Sequence, residues 1–159
     1  MHIKHSAVAA AVVAVSAAVP AGILAAGAGA SLAREASDHT AVAAKAPTVA
    51  LRATKLGKIL VAGSNGHALY LYTKDGKDKS NCTSSCAAVW PPLTVSGRPS
   101  AGGGVAASKL GEITRGHGHQ VTYAGHPLYT FTSDSSAGQT SGEGVGSFYV
   151  VSASGRAIK

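Results

Sequence analysis

GHALYLYTKD occupies positions 66–75, and GHPLYTFTSD occupies positions 125–134. Both read Gly-His-x-Leu-Tyr-x-aromatic-Thr-x-Asp, with six of ten residues identical and Tyr72 exchanged for Phe131. Such a match within one short chain marks an internal duplication. In the first copy Leu69, Leu71 and Thr73 alternate with Tyr70, Tyr72 and Lys74. That period of two, rich in aromatic residues, predicts a strand.

Each copy extends outward into a hairpin. Ahead of the first lies Lys58-Ile59-Leu60-Val61, a second strand, with Gly63-Ser64-Asn65-Gly66 between them. Asn-Gly predicts a tight primed turn, whose two central residues both take positive φ. In the second copy Gln120-Val121-Thr122-Tyr123 is the leading strand, Ala124-Gly125-His126-Pro127 the turn, and 128–132 the return strand. Asp75 and Asp134 end the two hairpins. An aspartate there folds back onto backbone amides of the following turn. Residues 83–89 predict a short turn of helix around Cys86 with a Ser or Thr cap. Phe148-Tyr149-Val150-Val151 is a last strand before a turn at Ser154-Gly155.

The expectation is therefore all-β: one small domain of two related hairpin repeats. Large apolar residues are few, so its core should rest on Tyr70, Tyr72, Trp90, Tyr123, Tyr129, Phe131, Phe148 and Tyr149. Residues 1–30 begin with Lys4, run apolar and close in small residues at Ala28-Gly29-Ala30, the pattern of a secretory signal peptide. Residues 31–53 are rich in Ala, Ser and Thr without apolar periodicity, which predicts a flexible linker. The domain is expected over 54–159, with the repeats at about 55–95 and 110–155. No transmembrane span is expected once the signal is removed.

The signature Tyr-x-(Phe/Trp/Tyr)-x-x-Asp occurs as Tyr70-Leu71-Tyr72-Thr73-Lys74-Asp75 and as Tyr129-Thr130-Phe131-Thr132-Ser133-Asp134. With Cys82-Thr83-Ser84-Ser85-Cys86 leading to Trp90-Pro91-Pro92-Leu93, it resembles a bacterial secreted-repeat family of predicted lipoproteins, over about 55–155. The resemblance implies the fold and an exported location, and no reaction. Two features depart from the family pattern. The lipid-anchor cysteine is missing, and Phe148-Tyr149 stands where a closing tryptophan is usual.

Formal net charge is +7, but the basic residues are scattered, with only a loose Lys74, Lys77, Lys79 group. No nucleic-acid module accompanies them, which excludes that class. The charge suits a soluble extracellular protein near anionic envelope polymers. Cys82 and Cys86 are the only cysteines, and export makes a disulfide the default. Reduced, they would form a Cys2His2 set with His117 and His119.

His67 and His126 hold the same place in the two turns, and His117 and His119 alternate on an extended segment. Imidazole suits copper, zinc and nickel, so these four are candidate metal ligands, although neutral turn histidines are the blander reading and no resident metal or other cofactor is expected. No Gly-x-Ser-x-Gly elbow occurs. The carboxylates Asp75, Asp78, Glu112, Asp134 and Glu143 form no recognisable catalytic pair. The function expected is a secreted, monomeric, non-catalytic module associated with the cell envelope, binding an unknown envelope component or small ligand. A metal-binding or redox accessory protein using His117 and His119 is the alternative, and a wall-polymer hydrolase is the last.

Overall fold

The computed structural model describes residues 45–159, so the expected signal peptide and most of the expected linker lie outside the described residues. The domain begins earlier than residue 54. Strand β1 (Val49–Thr54) pairs antiparallel with β2 (Gly57–Ala62), with Val49 opposite Ala62 and Thr54 opposite Gly57. Ala50 and Ala53 dilute the alternation that would have marked β1 as a strand. Val49 is nevertheless fully buried, and Leu51 packs against the core. The hairpin closes through Gly57 at φ +91°, where glycine meets no Cβ penalty. The Thr54 hydroxyl also accepts the Leu56 amide at 3.1 Å.

The other edge of β2 carries the return segment, with Ala62 N–H bonding His67 O at 2.8 Å and Leu69 N–H bonding Leu60 O at 3.0 Å. The turn between them is not the primed Asn-Gly turn. Only Gly66 takes positive φ, at +75°, and Asn65 does not. Instead the Asn65 side chain accepts the His67 amide at 3.0 Å, the local bond asparagine makes to backbone two residues on. The primed geometry belongs to the second copy, where Ala124 (φ +52°) and Gly125 (φ +81°) join β6 (Gly118–Tyr123) to β7 (His126–Pro127).

Strand β3 (Tyr70–Tyr72) continues the first copy and pairs antiparallel with β8 (Phe148–Val150). Strand β6 centres a four-stranded sheet. It pairs with β5 (Leu110–Arg115), with β4 (Thr94–Val95) and with β7. The only α-helix among the described residues, α1 (Ser84–Val89), follows Cys82, with Thr83 at its N-cap. The expected side-chain cap does not form there, and the Thr83 carbonyl accepts the Cys86 amide instead. Mostly strand with one short helix, the domain is all-β.

Alternation buries both faces rather than one. Leu60, Leu69, Leu71, Val121, Leu128 and Val151 build an aliphatic core. Ile59, Val61, Tyr70, Trp90, Tyr129, Phe148 and Val150 build an aromatic one. Of the eight aromatics expected inside, Tyr70, Trp90, Tyr123, Tyr129 and Phe148 are buried. Tyr72, Phe131 and Tyr149 are only half-buried. Tyr149 turns away from the aromatic core, and the Lys159 ammonium lies 5.3 Å from its ring centre. Aromatic residues draw the eye in the sequence; the second, aliphatic core sits in the same strands one residue out of phase.

Candidate functional site

The duplicated motif meets itself in the interior of the domain. Tyr70 and Tyr129, the matching tyrosines, exchange two backbone bonds: Tyr70 N–H to Tyr129 O at 2.9 Å, and Tyr129 N–H to Tyr70 O at 3.0 Å. From this crossing each side chain runs into the other copy. The Tyr70 hydroxyl donates to Asp134 at 2.6 Å. The Tyr129 hydroxyl donates to Asp75 at 2.6 Å. A buried phenol requires a partner, and each copy takes its partner from the other.

The second oxygen of each aspartate ties down a loop. Asp75 Oδ1 accepts the Asn81 amide at 2.7 Å, and Asp134 Oδ1 accepts the Ser141 amide at 2.9 Å. Each loop then reaches across to the other copy's turn. Asp78 N–H bonds Gly125 O at 2.7 Å, and Gly138 N–H bonds Gly66 O at 2.8 Å. The exchange is thus threefold: backbone, tyrosine to aspartate, and loop to turn.

These contacts set the electrostatics. Burial, reinforced by the Asp134 carboxylate, holds the Tyr70 hydroxyl far above the usual phenol range. Burial and the bond to Asp75 push Tyr129 up to about 12. Both tyrosines are therefore donors at every physiological pH. Burial also raises the Asp75 carboxyl above the usual carboxylate range, opposed by the Asn81 amide and the Tyr129 hydroxyl. Arg115 completes the polar layer beneath the first loop. Its guanidinium donates to Ser80 Oγ at 2.6 Å, to Gln120 Oε1 at 2.8 Å and to the Cys82 carbonyl. Ser80 Oγ in turn lies 2.7 Å from the Tyr129 oxygen. Neither Arg115 nor Gln120 stands out in the sequence, because neither belongs to the repeated motif.

The third motif positions, Tyr72 and Phe131, cap a row of four rings. Tyr72 stacks on Phe148 (4.3 Å between centres), Phe148 on Trp90 (3.9 Å), and Trp90 on Phe131 (4.4 Å). Phe148 is the ring that joins Tyr72 to Trp90 in this row. Trp90 reaches it from the end of α1, and the other end of that helix is pinned by the Cys82–Cys86 disulfide (Cα atoms 5.3 Å apart). With both sulfurs in that bond, the Cys2His2 arrangement is not the one the structure adopts.

The histidines are dispersed. His117 is exposed in the turn between β5 and β6, and His119 lies on β6 opposite Thr114 and Val95. His67 and His126 are half-buried in their separate turns. Among the described residues, no three of His, Cys, Asp and Glu stand together as a metal site. Glu143 is a structural acceptor, taking the Val150 amide at 2.6 Å. A cavity of about 580 Å³ opens between the 45–48 segment and residues 93–100 and includes none of the motif residues.

The family comparison also finds two copies of one unit. A family model described as a secreted repeat of unknown function matches residues 50–94 and 111–151. The chain belongs to this secreted-repeat family. Its first match begins within β1, consistent with β1 being part of the first repeat. Like its family, the protein is secreted. No curated protein and no solved structure matches the chain. No helix among the described residues is long and apolar enough to cross a membrane.

Proposed function

We propose that this secreted repeat protein is a non-catalytic module that associates with the cell envelope and binds a component of it, exported by the signal in residues 1–30 and acting as a monomer. The observation that carries this reading is the use of its carboxylates. Asp75, Asp134 and Glu143 each hold a backbone amide, and the two aspartates each hold a buried tyrosine as well. General acid–base catalysis needs a carboxyl free to meet substrate and a partner to orient it. Here those three groups hold backbone in place, which leaves Asp78 and Glu112 as the exposed carboxylates among the described residues. What is left on the surface is chiefly cationic, as befits a partner in an anionic envelope.

Co-sedimentation of the purified protein with isolated envelopes tests the reading, with release of soluble wall fragments measured in the same tubes. Sedimentation without release is expected. Protein left wholly in the supernatant overturns envelope binding, and released fragments overturn the non-catalytic role.

A further inference from the structure

The two repeats provide an internal control for what the fold itself requires. Loop 75–81 and loop 134–141 do the same structural work, each closed by an aspartate and each bonded across to the opposite turn. The second does so with Ser133, Ser135, Ser136 and Gln139, and carries no lysine or arginine. Gln139 braces it by accepting the Ser135 and Ser136 amides at 2.9 and 3.2 Å. The first loop carries Lys74, Lys77 and Lys79, all exposed. Closure of the loop does not call for those charges, since its twin closes without them.

The first loop also presents them on a braced backbone. Gly76 and Lys79 exchange two backbone bonds (3.0 and 3.2 Å), the Asn81 side chain holds the Lys74 carbonyl at 2.6 Å, and Asp78 N–H is bonded to Gly125. Asp75, the acid nearest in sequence, is turned inward onto Tyr129 and Asn81 and is half-buried. Asp78 is the one exposed carboxylate in the loop. Beside it a shallow pocket of about 230 Å³ is lined by Lys79, Ser80, Thr83, Thr114 and Arg115, together with Asp78 and Ile113. Three exposed lysines on a braced backbone, beside hydroxyls, suit a chain of phosphates, which lysine meets as a point charge.

We propose that loop 75–81, with Lys74, is the docking surface for a phosphodiester-linked polyanion of the envelope. This rests on the envelope-binding reading above and names the chemistry of its partner. The probe is poly(glycerol phosphate), titrated into the purified protein by calorimetry at several salt concentrations. One variant gives the first loop the serines of the second: Lys74→Ser, Lys77→Ser and Lys79→Ser. A second removes equal charge outside the loop: Lys55→Ser, Lys58→Ser and Arg98→Ser, all exposed positions.

Binding by the wild type should weaken as salt rises. The loop variant should bind at least about tenfold more weakly, its salt slope shallower by roughly one unit per contacted lysine. The second variant should change less than about threefold, because it leaves every lysine of the loop in place. If the loop variant unfolds, the single changes Lys74→Gln, Lys77→Gln and Lys79→Gln should each lower affinity and salt slope in the same direction. Equal losses in the two variants, or single changes without effect, would overturn the proposal. So would phosphatidylglycerol vesicles binding as tightly at equal phosphate, which would move the partner to a lipid surface. Absence of polymer binding in a protein that still sediments with envelopes defeats this proposal and leaves the envelope reading standing.

Discussion

The hydroxyl of Tyr70 rests on the carboxylate of Asp134, 2.6 Å away and 64 positions along the chain. Its counterpart Tyr129 returns the bond to Asp75, also at 2.6 Å and 54 positions back. The repetition of the ten-residue motif has its physical reason in this exchange. One copy would leave a buried phenol and an aspartate without partners, at a cost of about 1–3 kcal/mol for each unsatisfied group.

The two tyrosines set the alkaline limit of the fold. Both have folded-state pKa values above the unfolded value near 10, so the native state holds protons that the unfolded chain releases. Their contribution is present in full below pH 10; that of Tyr129 is lost as pH rises through about 12, while that of Tyr70 goes on falling above it. Stability should therefore fall between pH 10 and 12, by at most about 1.4 kcal/mol per pH unit for each tyrosine. Denaturant melts between pH 9 and 12 measure it, and Tyr129→Phe should roughly halve the slope. An unchanged slope in that variant would contradict the assignment.

The duplication, the short helix and strands β2, β3, β6 and β8 were legible because each rests on local pattern, such as the alternation of Leu69, Tyr70, Leu71 and Tyr72. Strands β4 and β5 were not, and the return strand expected over 128–132 is an isolated bridge at Tyr129, the paired residues being His126–Pro127. The start of the domain was not legible either, since Ala50 and Ala53 blur β1. The site was legible only as a list of residues. Tyr70, Asp75, Tyr129 and Asp134 are visible in the motif, but which tyrosine meets which aspartate depends on the two copies crossing at Tyr70 and Tyr129, and no local pattern encodes that. Arg115 was illegible for a related reason. Its partners Ser80 and Cys82 lie 35 and 33 residues before it in the chain, and Gln120 lies on the next strand.

Packing against the single tryptophan should be unforgiving. A Cβ added at Gly142 would lie 2.6 Å from the Trp90 ring, whereas at Gly103 it would meet nothing within 4 Å. Gly142→Ala should cost about 1–3 kcal/mol, as overpacked cores do. Gly103→Ala should be near neutral. Thermal melts followed by Trp90 fluorescence compare the two, and similar losses would argue against a tightly packed ring.

The disulfide pins one end of α1 while Trp90 at the other end stacks on Phe148 and Phe131. Cys82→Ser should lower stability by less than the ~3 kcal/mol expected for a fifteen-residue loop, since the closed loop is far shorter. It should also broaden the near-ultraviolet dichroism of the ring stack. A variant with wild-type stability and dichroism would show that the bond does not position Trp90.

The exchange between repeats is tested most directly by double-mutant cycles in denaturant, pairing Tyr→Phe at 70 or 129 with Asp→Ala at 75 or 134. The cross-repeat pairs, Tyr70 with Asp134 and Tyr129 with Asp75, should each show a coupling energy of about 1–3 kcal/mol, as groups in direct contact do. The same-repeat pairs, Tyr70 with Asp75 and Tyr129 with Asp134, should be additive to within about 0.5 kcal/mol. Coupling that appears instead within each copy, with the cross-repeat pairs additive, would contradict the account.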